Sequence, residues 1–297
     1  GSVALDAISI NAATAGAGTV EVANIAGAAG AVSIGNGSTA TLTLDGTTYT
    51  STGAQTYEAN DFNLTGADIT FTTTNTAVEF QDGATGQIVL SDTADLTITT
   101  SGGNITIAPT IAGTTGGASR TEDITLNAAG GTVTLSNTGA AVLATDIGDV
   151  TITGATIALH NSITSAGTNS AGAASTIDIN GAVTLNSNDI TITTGGGSVD
   201  FSSTIVSGSA TPRALTIAQG AGTVAITGNI GGTASNDLGN ITIGATGNAG
   251  NITLSGDIGT DSVAGAAIVA LGNASTGSVT LGGAEYNTSG TQTYTAD

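Results

Sequence analysis

The residues that could do chemistry are few and scattered. Arg120 stands in SRTED beside Glu122 and Asp123, the densest charge cluster in the chain. A polysaccharide lyase needs a base and a cation to hold a developing carbanion, and a hydrolase needs paired carboxylates across a cleft. Arg120 with Asp123 is the one place where either could be built, and the plainer reading is a surface salt link at a strand start. The sole imidazole, His160 in IALHNS, has no acid or nucleophile pattern beside it and reads as structural. Nucleophile-elbow, P-loop and zinc-ligand spacings are all absent. The expectation is that the chain is not an enzyme and carries no cofactor.

Calcium is the remaining ligand to weigh. Asp68, Asp95, Asp123, Asp149 and Asp189 each open a strand-like phrase, and hard carboxylate oxygens at turns suit that ion. Neither an EF-hand loop nor a glycine-aspartate nonapeptide repeat is present. The alternative is that these residues cap turns by accepting backbone N–H bonds.

The four tyrosines fall in two echoing stretches, Tyr49 and Tyr57 in YTSTGAQTY and Tyr286 and Tyr294 in YNTSGTQTY. The echo extends upstream: SIGNGSTATLTLDG from Ser33 matches ALGNASTGSVTLGG from Ala270, so residues 33–60 recur as 270–297. A looser match, ISINAATAGAGTVEV against ITIGATGNAGNITL, continues further up with a slightly smaller offset. A repeat this long reads as one period of an array with overlap. The tyrosines are then expected to plug the coil stack at a module junction; a sugar-stacking site would use the same residues.

Composition narrows the class. Lys plus Arg total 2 against 22 acidic residues, a net charge of −20, which opposes nucleic-acid phosphates and anionic headgroups. With no Lys, Schiff-base and Lys–Asn isopeptide chemistry are excluded. With no Cys or Met there is no disulfide framework and little to oxidise, which suits a long-lived extracellular surface. No apolar run is long enough to span a bilayer, so direct membrane insertion is not expected, and no signal peptide opens the sequence. It therefore reads as a mature or excised segment, with Gly1 and Ser2 native because GSVAL matches the phrase GSVTL at Gly277.

What must position these residues is a run of short strands. One phrase recurs throughout, an Asx or Gly followed by apolar, Thr, apolar: DITF from Asp68, DLTI from Asp95, NITI from Asn104, DITL from Asp123, DVTI from Asp149 and GTVAI from Gly222. Strict alternation predicts strands with aliphatics inward and Thr outward. Helix is excluded by 46 Gly and scarce helix formers. Strands of four or five residues, each repeating the chemistry of the last, predict stacked coils, that is, one continuous parallel β-helix over residues 1–297 with a thin aliphatic core. Coils of roughly 20 to 25 residues would give 12 to 15 turns and a rod of about 60 to 70 Å at 4.8 Å per turn. Unequal phrase spacings imply coils of unequal length, with loop insertions at Ser165–Ser175 and Gly231–Gly239. That irregularity argues against a flat ice-binding Thr face.

Irregular ITI, VTL and DITI phrases parted by Gly, Asn and Ala, with TGAQTY and SGTQTY marking modules, resemble the β-strand repeat regions of giant bacterial filamentous-haemagglutinin-type adhesins. The resemblance implies a right-handed parallel β-helix, export across a bacterial envelope and a role as stalk or filament, although the NPNG or NPNL secretion motif is absent. The expected function is a structural segment of a secreted surface filament or adhesin stalk. Its expected partners are other copies or modules of itself end to end, and extracellular glycans or a neighbouring cell surface. The rival readings are a carbohydrate-binding module and a glycan-cleaving β-helix enzyme.

Overall fold

The computed structural model describes residues 5–10, 18–28, 30–91, 94–114, 122–136, 141–143, 147–165, 168–169, 172–232, 236–244, 247, 250–260 and 264–297. Among them there is no helix, and so none long and apolar enough to cross a membrane. Every pairing between strands is parallel, and the chain winds as a β-solenoid of ten to eleven turns.

Each turn contributes to three ladders. The first runs Ile8, Val32, Gln55, Val78, Ile105, Val133, Ile157, Val183, Ile205, Ile230, Ile258, Tyr286. The second runs Val20, Leu42, Phe62, Ile88, Ile111, Leu143, Ile163, Ile192, Ile217, Ile243, Leu271, Tyr294. The third runs Ile25, Tyr49, Phe71, Ile98, Leu126, Ile152, Ile179, Phe201, Ile226, Leu254, Leu281. Long strands such as Gln55–Leu64 turn from one ladder to the next without breaking, the register slipping at Ala59/Asp61 where the corner falls.

The alternating phrases explain the cross-section. In Leu96–Thr100 and Ile190–Thr194 every second side chain is buried and the Thr between them lies on the outer surface. Ile69, Leu96, Ile124, Val150 and Ile177 therefore stack like on like along the axis. Each such aliphatic, removed from water, contributes about 1.5–3 kcal/mol before conformational entropy is set against it. The aliphatic core holds along most of the rod, but between Tyr49 and Phe80 it is aromatic: Tyr49, Tyr57, Phe62, Phe71 and Phe80 are all fully buried.

Two expectations about size are corrected. Over much of the rod the turns are longer than the phrase spacing implies: one turn separates Leu42 from Phe62, but one turn also separates Leu96 from Ile124 and Ile111 from Leu143. The twelve rungs of the first ladder make about eleven turns, just short of the 12 to 15 expected, and the rod is about 50 Å long. The uneven phrase spacing also resolves. Asp95 and Asn104 open strands on adjacent faces of one turn, whereas Asp123 and Asp149 open the same face one turn apart. Of the expected loop at Ser165–Ser175, the described part is a short antiparallel excursion bridged at Thr168 and Ala174. Leu238 and Gly239, expected in the second loop, already belong to the strand Leu238–Ile243.

Candidate functional site

Arg120 lies outside the described residues. Of its sequence neighbours, Glu122 is 1 % exposed on a strand and Asp123 accepts a hydrogen bond from a backbone amide. His160 touches Ser187 Oγ through Nδ1 at 2.7 Å, its backbone carbonyl accepts from Asn188 Nδ2 at 3.0 Å, and burial lowers its pKa. These contacts tie two successive turns together: His160 meets the Ser187 hydroxyl of the turn above.

The sequence-predicted calcium ligands form a column. The strands opened by Asp68, Asp95, Asp123 and Asp149 stack in register, and the last three carboxylates each reach up one turn. Asp95 Oδ1 accepts from the Asp123 amide at 2.9 Å, Asp123 Oδ1 from the Asp149 amide at 2.6 Å, and Asp149 Oδ1 from the Thr176 amide at 2.7 Å and the Thr176 hydroxyl at 3.1 Å. Asp149 Oδ2 also accepts from Asn169 Nδ2 at 3.1 Å. Asp189 stands apart and does the same for the Ala214 amide at 2.9 Å. Asn104 and Asn229 repeat the device for Thr132 and Asp257. Turn capping is thus realised, but across coils rather than within one turn: each strand start sits directly above the preceding one, so its first amide lies over the carboxylate below. Burial pushes the Asp95 carboxyl up, the Asp123 amide opposes this, and Asp68 below adds to the rise. Among the described residues no three His, Cys, Asp or Glu side chains converge as a metal site would require.

A second acidic feature was not singled out from sequence. Asp178 and Asp200 face outward as direct neighbours on the third ladder. Burial first, then the charges of Asp200 and Asp149, raise the Asp178 carboxyl, and burial raises that of Asp200 although its hydrogen bond with Asp178 works the other way.

The tyrosine module is the most structured of the candidates. Tyr49 and Tyr57 are 0 % exposed and lie within the stack, each covered by the next turn. Phe71 stacks on Tyr49 with centroids 4.8 Å apart, Phe80 stacks on Tyr57 at 5.1 Å, and Phe62 meets Phe80 edge-on at 5.5 Å. The polar ends are fully engaged. Tyr49 OH accepts from the Gly46 amide at 3.0 Å and donates to Val22 O at 2.9 Å, while Tyr57 OH donates to Gln55 Oε1 at 3.0 Å. Gln55 Nε2, buried with them, is shared among Tyr49 O, Ser51 Oγ and Thr72 O. Burial pushes the Tyr49 phenol up to about 12 and that of Tyr57 well above its ordinary value. Neither ring of the first pair is available to stack on a sugar.

The second copy rebuilds this module's bonds except the one from Gln55 to Thr72 O of the turn above. Tyr286 OH accepts from Gly283 N at 2.8 Å and donates to Leu254 O at 3.3 Å; Gln292 Nε2 donates to Tyr286 O at 2.6 Å and Thr288 Oγ1 at 3.1 Å; Tyr294 OH donates to Gln292 Oε1 at 2.6 Å. Upstream, Asn36 and Asn273 make the same two turn bonds, to Thr39 and Ser38 and to Thr276 and Ser275. Gly35 and Gly272 sit at φ +81° and +77°, where a Cβ would meet the carbonyl of the next turn 2.1 Å away in both cases. Here the rings have no further turn above them: Tyr294 is 39 % exposed.

Reasoning from sequence found the tyrosines but missed Gln55, Phe62, Phe71 and Phe80. The available signal was separation: Tyr49 to Phe71 and Tyr57 to Phe80 are nearly equal intervals, one turn each. No protein-family model, no curated protein and no solved structure matches the chain.

Proposed function

We propose that this chain is a structural segment of a secreted bacterial surface filament or adhesin stalk, acting as a stiff rod that continues end to end with further modules of itself. The observation that supports it is the unbroken stacking: three parallel ladders run from the first described turns to Tyr286, Tyr294 and Leu281 around one apolar interior. In such a rod, bending requires opening many backbone hydrogen bonds together, so stiffness follows from the fold itself. An outer surface of Thr, Asn and Asp with net charge −20 repels neighbouring copies sideways, which leaves the ends as the places of association. The same reading makes the Asp and Asn columns structural, each bracing one turn to the next, with no catalytic role.

The test is electron microscopy of the native protein on its producing cells, using antibody raised against this chain. Label along stalks or fibres projecting from intact cells is the expected outcome. Label that appears only after permeabilisation, or only on compact particles, would overturn the reading.

A further inference from the structure

The echo does not return to the face it left. Tyr49 lies on the third ladder and Tyr57 on the first, whereas Tyr286 lies on the first and Tyr294 on the second. Their partners below shift likewise: Ile34 pairs with Tyr57 on the first ladder, Leu271 with Tyr294 on the second. The looser upstream echo obeys the same rule, Ile8 standing on the first ladder and Ile241 on the second. From Tyr49 the third ladder climbs nine steps to Leu281, and Tyr286 comes one face later. The period, from Tyr49 to Tyr286 or from Tyr57 to Tyr294, is therefore nine and one-third turns.

The local bonding survives this rotation, so the module is indifferent to which face carries it. What the second copy lacks is its cover. In the first copy the next turn supplies Phe71 over Tyr49, Phe80 over Tyr57 and Thr72 O for Gln55 Nε2. Over Tyr286, Tyr294 and Gln292 this chain supplies none of them. The segment that fits is residues 61–80, and by the echo Asp297 stands where Asn60 does, immediately before it.

Resting on the rod reading, we infer that the occupant of this end is a second copy of residues 61–80 continued in the same covalent chain, entering one face onward, so that successive periods are rotated by one third of a turn. Any feature carried by one side of a period then appears on all three sides within three periods. A stalk built this way presents its surface in every direction without a three-fold symmetric coil.

A fused chain tests it: residues 1–297 followed directly by a second copy of residues 61–297. The protein has no Cys, so a disulfide can be read without background. In the first copy Thr56 and Glu79 are direct neighbours on adjacent turns, at a spacing within disulfide reach. The rotated joint places Thr293 under Glu79 of the second copy, and Thr293→Cys with that Glu79→Cys should cross-link on mild oxidation. An unrotated joint would place that Glu79 over Asn287 on the Tyr286 face instead, so Asn287→Cys with it should stay reduced. Cross-linking of the Asn287 pair in a straight rod would overturn the rotation and leave the rod reading standing. If neither pair closes in a straight rod, the inferred register is wrong; if micrographs show two rods hinged at the joint, the rod reading itself fails. Should the cysteine variants misfold, cryo-electron microscopy of the unsubstituted fused chain decides the same question: copy two must superimpose on copy one after rotation by one face.

Discussion

Phe71→Ala probes the aromatic segment most sharply. The ring is fully buried, stacked 4.8 Å from Tyr49 and edge-on to Tyr57 and Phe80 at 5.2 and 5.1 Å. Removing a buried Phe ring costs about 3–5 kcal/mol, and three aromatic partners place this site at the upper end of that range. In a solenoid each turn touches only its neighbours, so the loss should stay local. Hydrogen exchange read by mass spectrometry should show amides of Thr48–Ser51 and Leu96–Thr100, the strands flanking Phe71 on its ladder, exchanging about 150- to 4,000-fold faster. Amides of Ile252–Leu254, far up the same ladder, should be unchanged. Equal acceleration throughout would refute the nearest-neighbour reasoning, and less than tenfold at Thr48–Ser51 would refute the packing argument.

Three further outcomes follow from single side chains. Gln219 is 0 % exposed and neither of its side-chain amide atoms has a hydrogen-bond partner among the described residues, so Gln219→Leu should raise stability by about 1–3 kcal/mol in thermal melting; a lower melting point would show that the amide is satisfied in solution. Asp178 and Asp200 carry carboxyls raised in the folded state. The fold then binds more protons than the unfolded chain between the ordinary carboxylate value and the raised ones, and stability falls as pH rises through that window. Asp178→Asn should therefore raise stability at pH 7, by about 0.2–1 kcal/mol for a like-charge neighbour on adjacent strands, read as a higher melting point, and do little below pH of about 3.9; destabilisation at pH 7 would contradict this. Asp149→Ala strips the Thr176 amide, the Thr176 hydroxyl and the Asn169 amide of their acceptor and should cost about 2 kcal/mol. Because the oxygens of this column already accept backbone amides, chelator should leave the wild-type melting point in place; a calcium-dependent rise abolished by Asp149→Ala would make the column an ion site.

The strand phrases were legible because alternation is a property of neighbouring residues: DLTI buries Leu96 and Ile98 whatever lies above them. The number of turns was not, because a phrase marks a face and three faces make a turn. Capping by Asp and Asn was legible as chemistry but not in direction, since the amide that Asp123 accepts belongs to Asp149, a full turn later. Phe62, Phe71 and Phe80 look like isolated, evenly spaced residues, and only the register shows that each lies on a different ladder with two of them covering the tyrosines. The echo itself could be read from sequence. Its rotation could not, because the interval from Tyr57 to Tyr294 is a length along the chain, and only the uneven turns convert it into nine and one-third revolutions.

The central claim is that periods of this sequence join into one rigid rod. Electron microscopy of chains with one, two and three periods, each joined at Asp297 to a further copy of residues 61–297, measures it directly. Each period should add about 45 Å, nine and one-third turns at 4.8 Å, in a straight line with no hinge at the joint. Rods of constant length strung on flexible links, or particles that thicken without lengthening, would contradict it.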